Sequence, residues 1–273
     1  MKTLGRFYAF AAVVLLAACS GVGTHNSTLP PFANSPGVAY TGNNPFLQGH
    51  HFFRACPQAK PGEYQCMAVL SDLWYSDMIR PDGSSCLHQP GCYGPTDLQA
   101  AYGVTSLAKT GGKGQTVAIV DAYGYPTAAK DLAAYRTFFK LPACGAGCLT
   151  IVNQKGQTTG LPKPNAGWDG EQALDLDMVS AICPNCKILL VESNSSSTSD
   201  LVTGVVVANS KAMIVSNSWG GPEEANTYPA FDSHKGVILA SAGDSGAGAP
   251  AYGGYPASPE QQPCGFAGVI CVG

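Results

Sequence analysis

The chain has 273 residues, a formal net charge of −3, only 12% charged residues, 33 glycines and 11 cysteines. Its Lys and Arg residues are scattered and form no basic stripe, which excludes a nucleic-acid-binding protein. Beyond its N-terminal segment the chain is long enough to bury a sizeable core, as one domain or one domain with a lead segment.

Residues 1–19 read as a lipoprotein-type signal peptide. Lys2 and Arg6 form a positive start, and residues 7–16 form an apolar run too short to span a bilayer. The run ends in Leu16-Ala17-Ala18-Cys19, which resembles a bacterial lipobox with Cys19 as the lipidated residue. The alternative is an ordinary signal peptide with an incidental cysteine. Both predict an exported protein, extracellular or touching a membrane only through the lipid on Cys19.

Residues 20–94 are rich in Pro, Gly, Asn and Cys: a tether, then from residue 46 to residue 92 a small disulfide-pinned lead with one possible strand at 65–70. Setting Cys19 aside, ten cysteines remain in close pairs: Cys56 with Cys66, Cys86 with Cys92, Cys144 with Cys148, Cys183 with Cys186 and Cys264 with Cys271. In an exported chain they read as five short disulfide loops, although spacing alone leaves the connectivity open. A metal or redox role for Cys183-Pro184-Asn185-Cys186 needs a cytosolic or thioredoxin-like setting.

A regular alternation begins at residue 94. A short helix capped by Thr96 or Asp97 is followed by an apolar strand at 116–120 that ends at Asp121. Helical spacing over 127–139 places Leu132, Tyr135, Phe138 and Phe139 on one face. A strand at 149–152, a helix at 170–181, a strand at 187–191 and a helix at 200–209 come next. Strands at 212–216, 236–241 and 268–272 complete the pattern. Buried β runs alternating with helices predict an α/β fold for residues 95–273: a doubly wound, mostly parallel sheet with helices on both faces.

In such sheets functional groups gather at the carboxyl ends of the strands. Asp121 follows the first strand, Asp244 follows the strand at 236–241, and Glu171 and Asp175 lie four apart on one helix. Taken singly these are weak signals, because an i, i+4 acidic pair is usually a solvated face and an Asp after a strand often caps a helix.

Their surroundings are more specific. Residues 114–121 (Gly-Gln-Thr-Val-Ala-Ile-Val-Asp) look like the first strand of subtilisin-fold peptidases. Residues 168–177 (Trp-Asp-Gly-Glu-Gln-Ala-Leu-Asp-Leu-Asp) resemble the Glu-x-x-x-Asp helix of the sedolisin family of serine-carboxyl peptidases. Residues 216–221 (Ser-Asn-Ser-Trp-Gly-Gly), 241–246 (Ser-Ala-Gly-Asp-Ser-Gly) and the stretch from 255 to 273 resemble that family's next blocks, in family order.

The resemblance implies that Glu171 is the general base for a nucleophilic serine and that Asp175 holds and polarises it. It implies that Asp244 donates from a protonated carboxyl into an oxyanion hole, and that Asp121, beside Trp219, extends the proton network. Carboxyls that share a proton and one that must stay neutral suit acidic conditions, so the implied activity is acid cleavage of polypeptide substrates through an acyl-enzyme.

Two rival peptidase readings fail on the residues. A subtilisin-type triad needs a histidine near position 171, and none occurs between His88 and His234. A chymotrypsin-type reading of Gly243-Asp244-Ser245-Gly246 needs a β-barrel and a histidine motif, while the pattern here is α/β. The chain also departs from the resemblance. No Gly-Thr-Ser segment, where the family's nucleophile sits, occurs in these residues. The family's calcium site near its C-terminus has no counterpart either, so no metal or other cofactor is expected here, calcium being expected of the complete family domain. The lead is shorter than the family's folded prosegment. The expectation is therefore the front part of a peptidase domain, incomplete at the C-terminus, without its nucleophile and inactive alone. The alternative is a non-catalytic exported lipoprotein that keeps the module for binding.

Overall fold

The computed structural model describes residues 38–39, 51–71, 93–222, 226–232, 234–243 and 262–273. The lead contributes β1 (Val38–Ala39), β2 (His51–Arg54), β3 (Gln65–Cys66) and β4 (Val69–Ser71). Then come α1 (Pro95–Ala101), α2 (Thr105–Thr110), β5 (Thr116–Ala122), α3 (Ala128–Phe138), β6 (Leu149–Asn153), α4 (Ala166–Ile182) and β7 (Lys187–Ser193). The remainder is α5 (Thr198–Lys211), β8 (Ile214–Asn217), β9 (Trp219–Gly220), α6 (Pro229–Asp232), β10 (Val237–Ser241) and β11 (Val269–Val272).

Six strands form one sheet in the order β11-β10-β8-β5-β7-β6, and every pairing within it is parallel. The α/β expectation is met. From β5 the chain moves outward to β6, returns to β7, and only then crosses to β8 on the other side. The switch therefore falls at β5, where a crevice opens beyond the strand ends in such sheets.

The alternation of side chains in β5 divides the core in two. Ala118, Val120 and Ala122 point to the layer that holds Leu201, Val205 and Ala208 of α5. Ile119 points to the opposite layer, with Leu132 of α3 and Ala173 and Leu176 of α4. Val191 joins the first layer, and Ile188 and Leu190 join the second. Fully burying each of the Val, Leu and Ile side chains among these stabilises the fold by about 1.5–3 kcal/mol. Helix α5 lies close to the sheet at Gly204, where a Cβ would come 2.5 Å from Ser193 Oγ and 2.8 Å from Val120 Cγ1.

Several local expectations need correction. Asp121 does not follow the first strand but lies within it, because β5 continues to Ala122 and pairs residue for residue with β7. Helix α4 begins four residues before the predicted start, with Asn165 as its cap: the Asn165 carboxamide oxygen accepts from Gly167 N (3.1 Å) and Trp168 N (3.3 Å). Helix α1 is capped at Gly94 rather than at Thr96 or Asp97. Asp97 sits in the first turn and accepts from the Gly94 N–H at 3.0 Å. The single strand expected at 65–70 is two strands in different sheets: β4 pairs with β2, and β3 pairs antiparallel with β9.

Disulfides link Cys56–Cys66, Cys144–Cys148, Cys183–Cys186 and Cys264–Cys271. Four such links fit an oxidising, extracytoplasmic compartment. The fifth pair expected from the sequence, Cys86 with Cys92, is not among these links, because Cys86 and Cys92 both lie outside the described residues. Cys19, the rest of the signal-peptide residues and Asp244 lie outside them as well. Among the described residues no helix is long and apolar enough to cross a membrane.

Candidate active site

The same alternation that buries Ile119 turns Asp121 toward α4. Asp121 is fully buried, and its register partner on β7 is Glu192, itself 1% exposed. Opposite them, α4 presents Glu171 (1% exposed) and Asp175 (8% exposed). The i, i+4 pair is therefore not a solvated face; the sheet and the lead segment cover it.

Each carboxyl is held differently. One oxygen of Glu171 accepts the backbone N–H of Ala68 at 2.5 Å. Asp175 Oδ1 accepts the Ser218 hydroxyl at 2.7 Å, while Oδ2 has no hydrogen-bond partner among the described residues. Burial raises the Asp175 carboxyl from 3.8 to about 7, against the opposing pull of the Ser218 hydrogen bond. Neither oxygen of Asp121 has a hydrogen-bond partner among the described residues. Burial first, then the neighbouring charges of Asp175 and Glu192, hold the Asp121 carboxyl well above its ordinary range. Glu192 is also shifted upward, chiefly by burial, with the Tyr125 N–H bond to its Oε1 (2.9 Å) pulling the other way.

Trp219 bounds this cluster. It is fully buried, its indole N–H donates to Val120 O at 2.7 Å, and its ring stacks on Tyr64 with centroids 5.1 Å apart. The bond to Val120 O ties the tryptophan to the residue preceding Asp121. Asn217 Nδ2 donates to Leu239 O at 2.9 Å, which links the end of β8 to β10.

A second acidic group lies farther along α4. Asp177 is raised to about 8 by burial and by Asp131, with Arg136 opposing. Arg136 is itself buried and donates to Ser180 Oγ (3.1 Å), Pro142 O (3.0 Å) and Pro184 O (3.1 Å). Asp169 is raised to about 6, chiefly by burial. The Arg136 bonds knit α3, α4 and the turn before β7 together.

The structure thus gathers Asp121, Glu171, Asp175 and Trp219 at one end of the sheet. Sequence reasoning missed Glu192, Ser218 and the Ala68 amide. Glu192 had a faint signal, as an acid directly after an apolar strand run. Ser218 and Ala68 had none, since a serine and a backbone N–H carry no pattern of their own. Among the described residues no three His, Cys, Asp or Glu side chains converge as metal ligands, so no residue is assigned to calcium.

No family profile matches the sequence. The chain is 30% identical over 171 residues to kumamolisin of Bacillus sp. (strain MN-32), a match covering 58% of this chain and 30% of that protein. The chain therefore spans about a third of the length of the curated relative it matches. Its fold is similar to the solved structure of Pseudomonas sedolisin, a serine-carboxyl proteinase complexed with two molecules of pseudo-iodotyrostatin. The TM-score there is 0.50 at 19% identity, over 66% of this chain and 53% of that one. Over the matched region the chain is thus similar in sequence to kumamolisin, and its fold is similar to that of Pseudomonas sedolisin, a serine-carboxyl proteinase.

Proposed function

We propose that the chain supplies the carboxyl machinery of a peptidase that hydrolyses polypeptides in acid. Glu171 takes the proton of a serine nucleophile, Asp175 orients and polarises Glu171, and Asp121 holds the next proton in line. Trp219 fixes the backbone at Asp121 through its bond to Val120 O. Asp244, in Gly243-Asp244-Ser245-Gly246, donates from a neutral carboxyl to the oxyanion. The observation that carries this reading is a set of buried carboxyls facing one another across the sheet and α4, with Asp175 raised to about 7. Such a group exchanges protons with its neighbours over the acid range, where an isolated Asp is already ionised.

The serine has no Gly-Thr-Ser counterpart in these 273 residues, so hydrolysis needs a serine from outside them, and these residues alone are expected to be inactive. The leader ending at Cys19 delivers the protein outside the cytoplasm, with a lipid on Cys19 as its membrane anchor. The test is peptide hydrolysis between about pH 3 and pH 7 by a protein that joins this chain to a serine-bearing remainder. Acid cleavage that falls by about 10²–10⁴-fold in E171Q supports the assignment. Cleavage unaffected by E171Q overturns it.

A further inference from the structure

His234 stands where the outer strands of the sheet begin, at the end opposite the carboxyls, and is half-buried. Its Nδ1 lies 2.8 Å from Gly236 O, just before β10. Its Nε2 lies 2.8 Å from Gly268 O, just before β11 and 34 positions along the chain. Both partners are backbone carbonyl oxygens, which only accept. A neutral imidazole has one N–H, so its other nitrogen would turn a lone pair toward an oxygen at hydrogen-bond distance. Only the imidazolium carries a donor on each nitrogen and satisfies both contacts. The backbone is shaped for this approach. At Gly268 a Cβ would collide with Phe231 O and lie 3.0 Å from His234 Nε2, so glycine is what lets the entry to β11 come so near.

We propose that His234 is a proton-operated clamp: as the imidazolium it fastens the start of β11 to the start of β10, and loss of a proton loosens that edge of the sheet. Among the described residues β11 is the outermost strand, paired with β10 alone, and Ile270 and Val272 are about half exposed. Little burial holds it, so the anchors at its ends matter. At its far end Ala242 N donates to Val272 O (2.7 Å), and the Cys264–Cys271 disulfide closes the loop that leads into it. Neither of those depends on a titrating proton; the His234 contacts do. No described side chain competes for the imidazolium. β8, β10, β11 and residues 262–268 carry no titratable group except the disulfide-bonded Cys264 and Cys271, and Asp232 of α6 and Lys235 are exposed. Helix α5, joined to α6 by the Asn209 Nδ2 bond to Ala230 O (2.8 Å), has its Lys211 against Gly156 and its Asp200 held by Gln154 and Ser195. Histidine as a residue type changes charge across the mildly acidic to neutral range, so the clamp closes in acid and opens as pH rises. The proposal stands on these contacts alone, without the peptidase reading.

The test is amide hydrogen exchange of residues 269–272 at about pH 5 and about pH 8, in the wild type and in H234Q. Rates are divided by the intrinsic rate at each pH, which removes the pH dependence of exchange itself, and are referred to β5, which removes changes in global stability. Wild-type β11 is expected to lose roughly tenfold in relative protection between the two pH values. H234Q, whose amide cannot gain a proton, is expected to show the lower protection at both. Wild-type protection that does not change with pH, or a change that persists in H234Q, overturns the proposal. Should H234Q not fold, nitrogen-15 NMR of the wild-type imidazole decides at about pH 5. Two visible ring N–H protons support the clamp, because a ring N–H without a partner is lost to exchange with water. One or none overturns it.

Discussion

Replacing Asp175 by Asn should stabilise this protein at neutral and alkaline pH and leave it nearly unchanged in acid. The folded protein holds the Asp175 proton up to about pH 7, whereas the unfolded chain releases it near 3.8. Between those two values the unfolded state has ionised and the native state has not, so stability falls as pH rises and stays low above the folded value. A shift of that size corresponds to roughly 4 kcal/mol. Asp121 competes for the same proton, so D175N is expected to recover about 2–4 kcal/mol at about pH 8. Below pH 3.8 both forms are neutral, and the Asn oxygen can still accept from the Ser218 hydroxyl, so the two proteins should match there. Urea titrations of wild type and D175N, followed by circular dichroism at about pH 3.5, 5.5 and 8, give the comparison. A stability difference that varies by less than about 0.5 kcal/mol across those pH values would refute the argument, because it would mean that Asp175 ionises natively as it does in the unfolded chain.

S218A removes the one interaction that pulls the Asp175 carboxyl down. Its midpoint should move further up, read by carbon-13 NMR titration of the side-chain carboxyl, and a downward move contradicts the assignment. N165A strips the cap from α4, the helix that carries both Glu171 and Asp175. It should cost about 1 kcal/mol in urea unfolding, and no loss would mean that water caps the helix equally well. G204A forces a methyl group into contact with Ser193 and Val120 where α5 crosses the sheet. A loss of about 1–3 kcal/mol is expected from overpacking, and a neutral result would show that α5 can lift away from β5 without cost.

Much of the fold was legible because it rests on local patterns. Continuous apolar runs such as 116–120 and 187–191 mark buried parallel strands, since both of their faces are covered by helices. The acids Asp121, Glu171 and Asp175 were weak signals by strand-end position and helical spacing alone, and gained specificity only from the resemblance of the residues around them. Element ends were less legible. A strand that runs two residues further, to Ala122, depends on a partner strand of equal length, and that partner, β7, is distant in sequence.

The sequence by itself determined the α/β class and the order of the main strands and helices; it also brought forward Asp121, Glu171 and Asp175 and suggested close cysteine pairs, four of which the structure closes as disulfides. These come from side-chain periodicity and short-range spacing, which act through neighbours along the chain. Only the tertiary structure decided that Glu192 faces Asp121, that Ser218 donates to Asp175, and that the Ala68 N–H caps Glu171. Those contacts join residues 43 to 103 positions apart. They are made in part by backbone groups that every residue carries, so no pattern of residue types can announce them. The raised affinity of Asp175 for its proton has the same origin: it comes from the burial that the assembled sheet, helix and lead segment impose together.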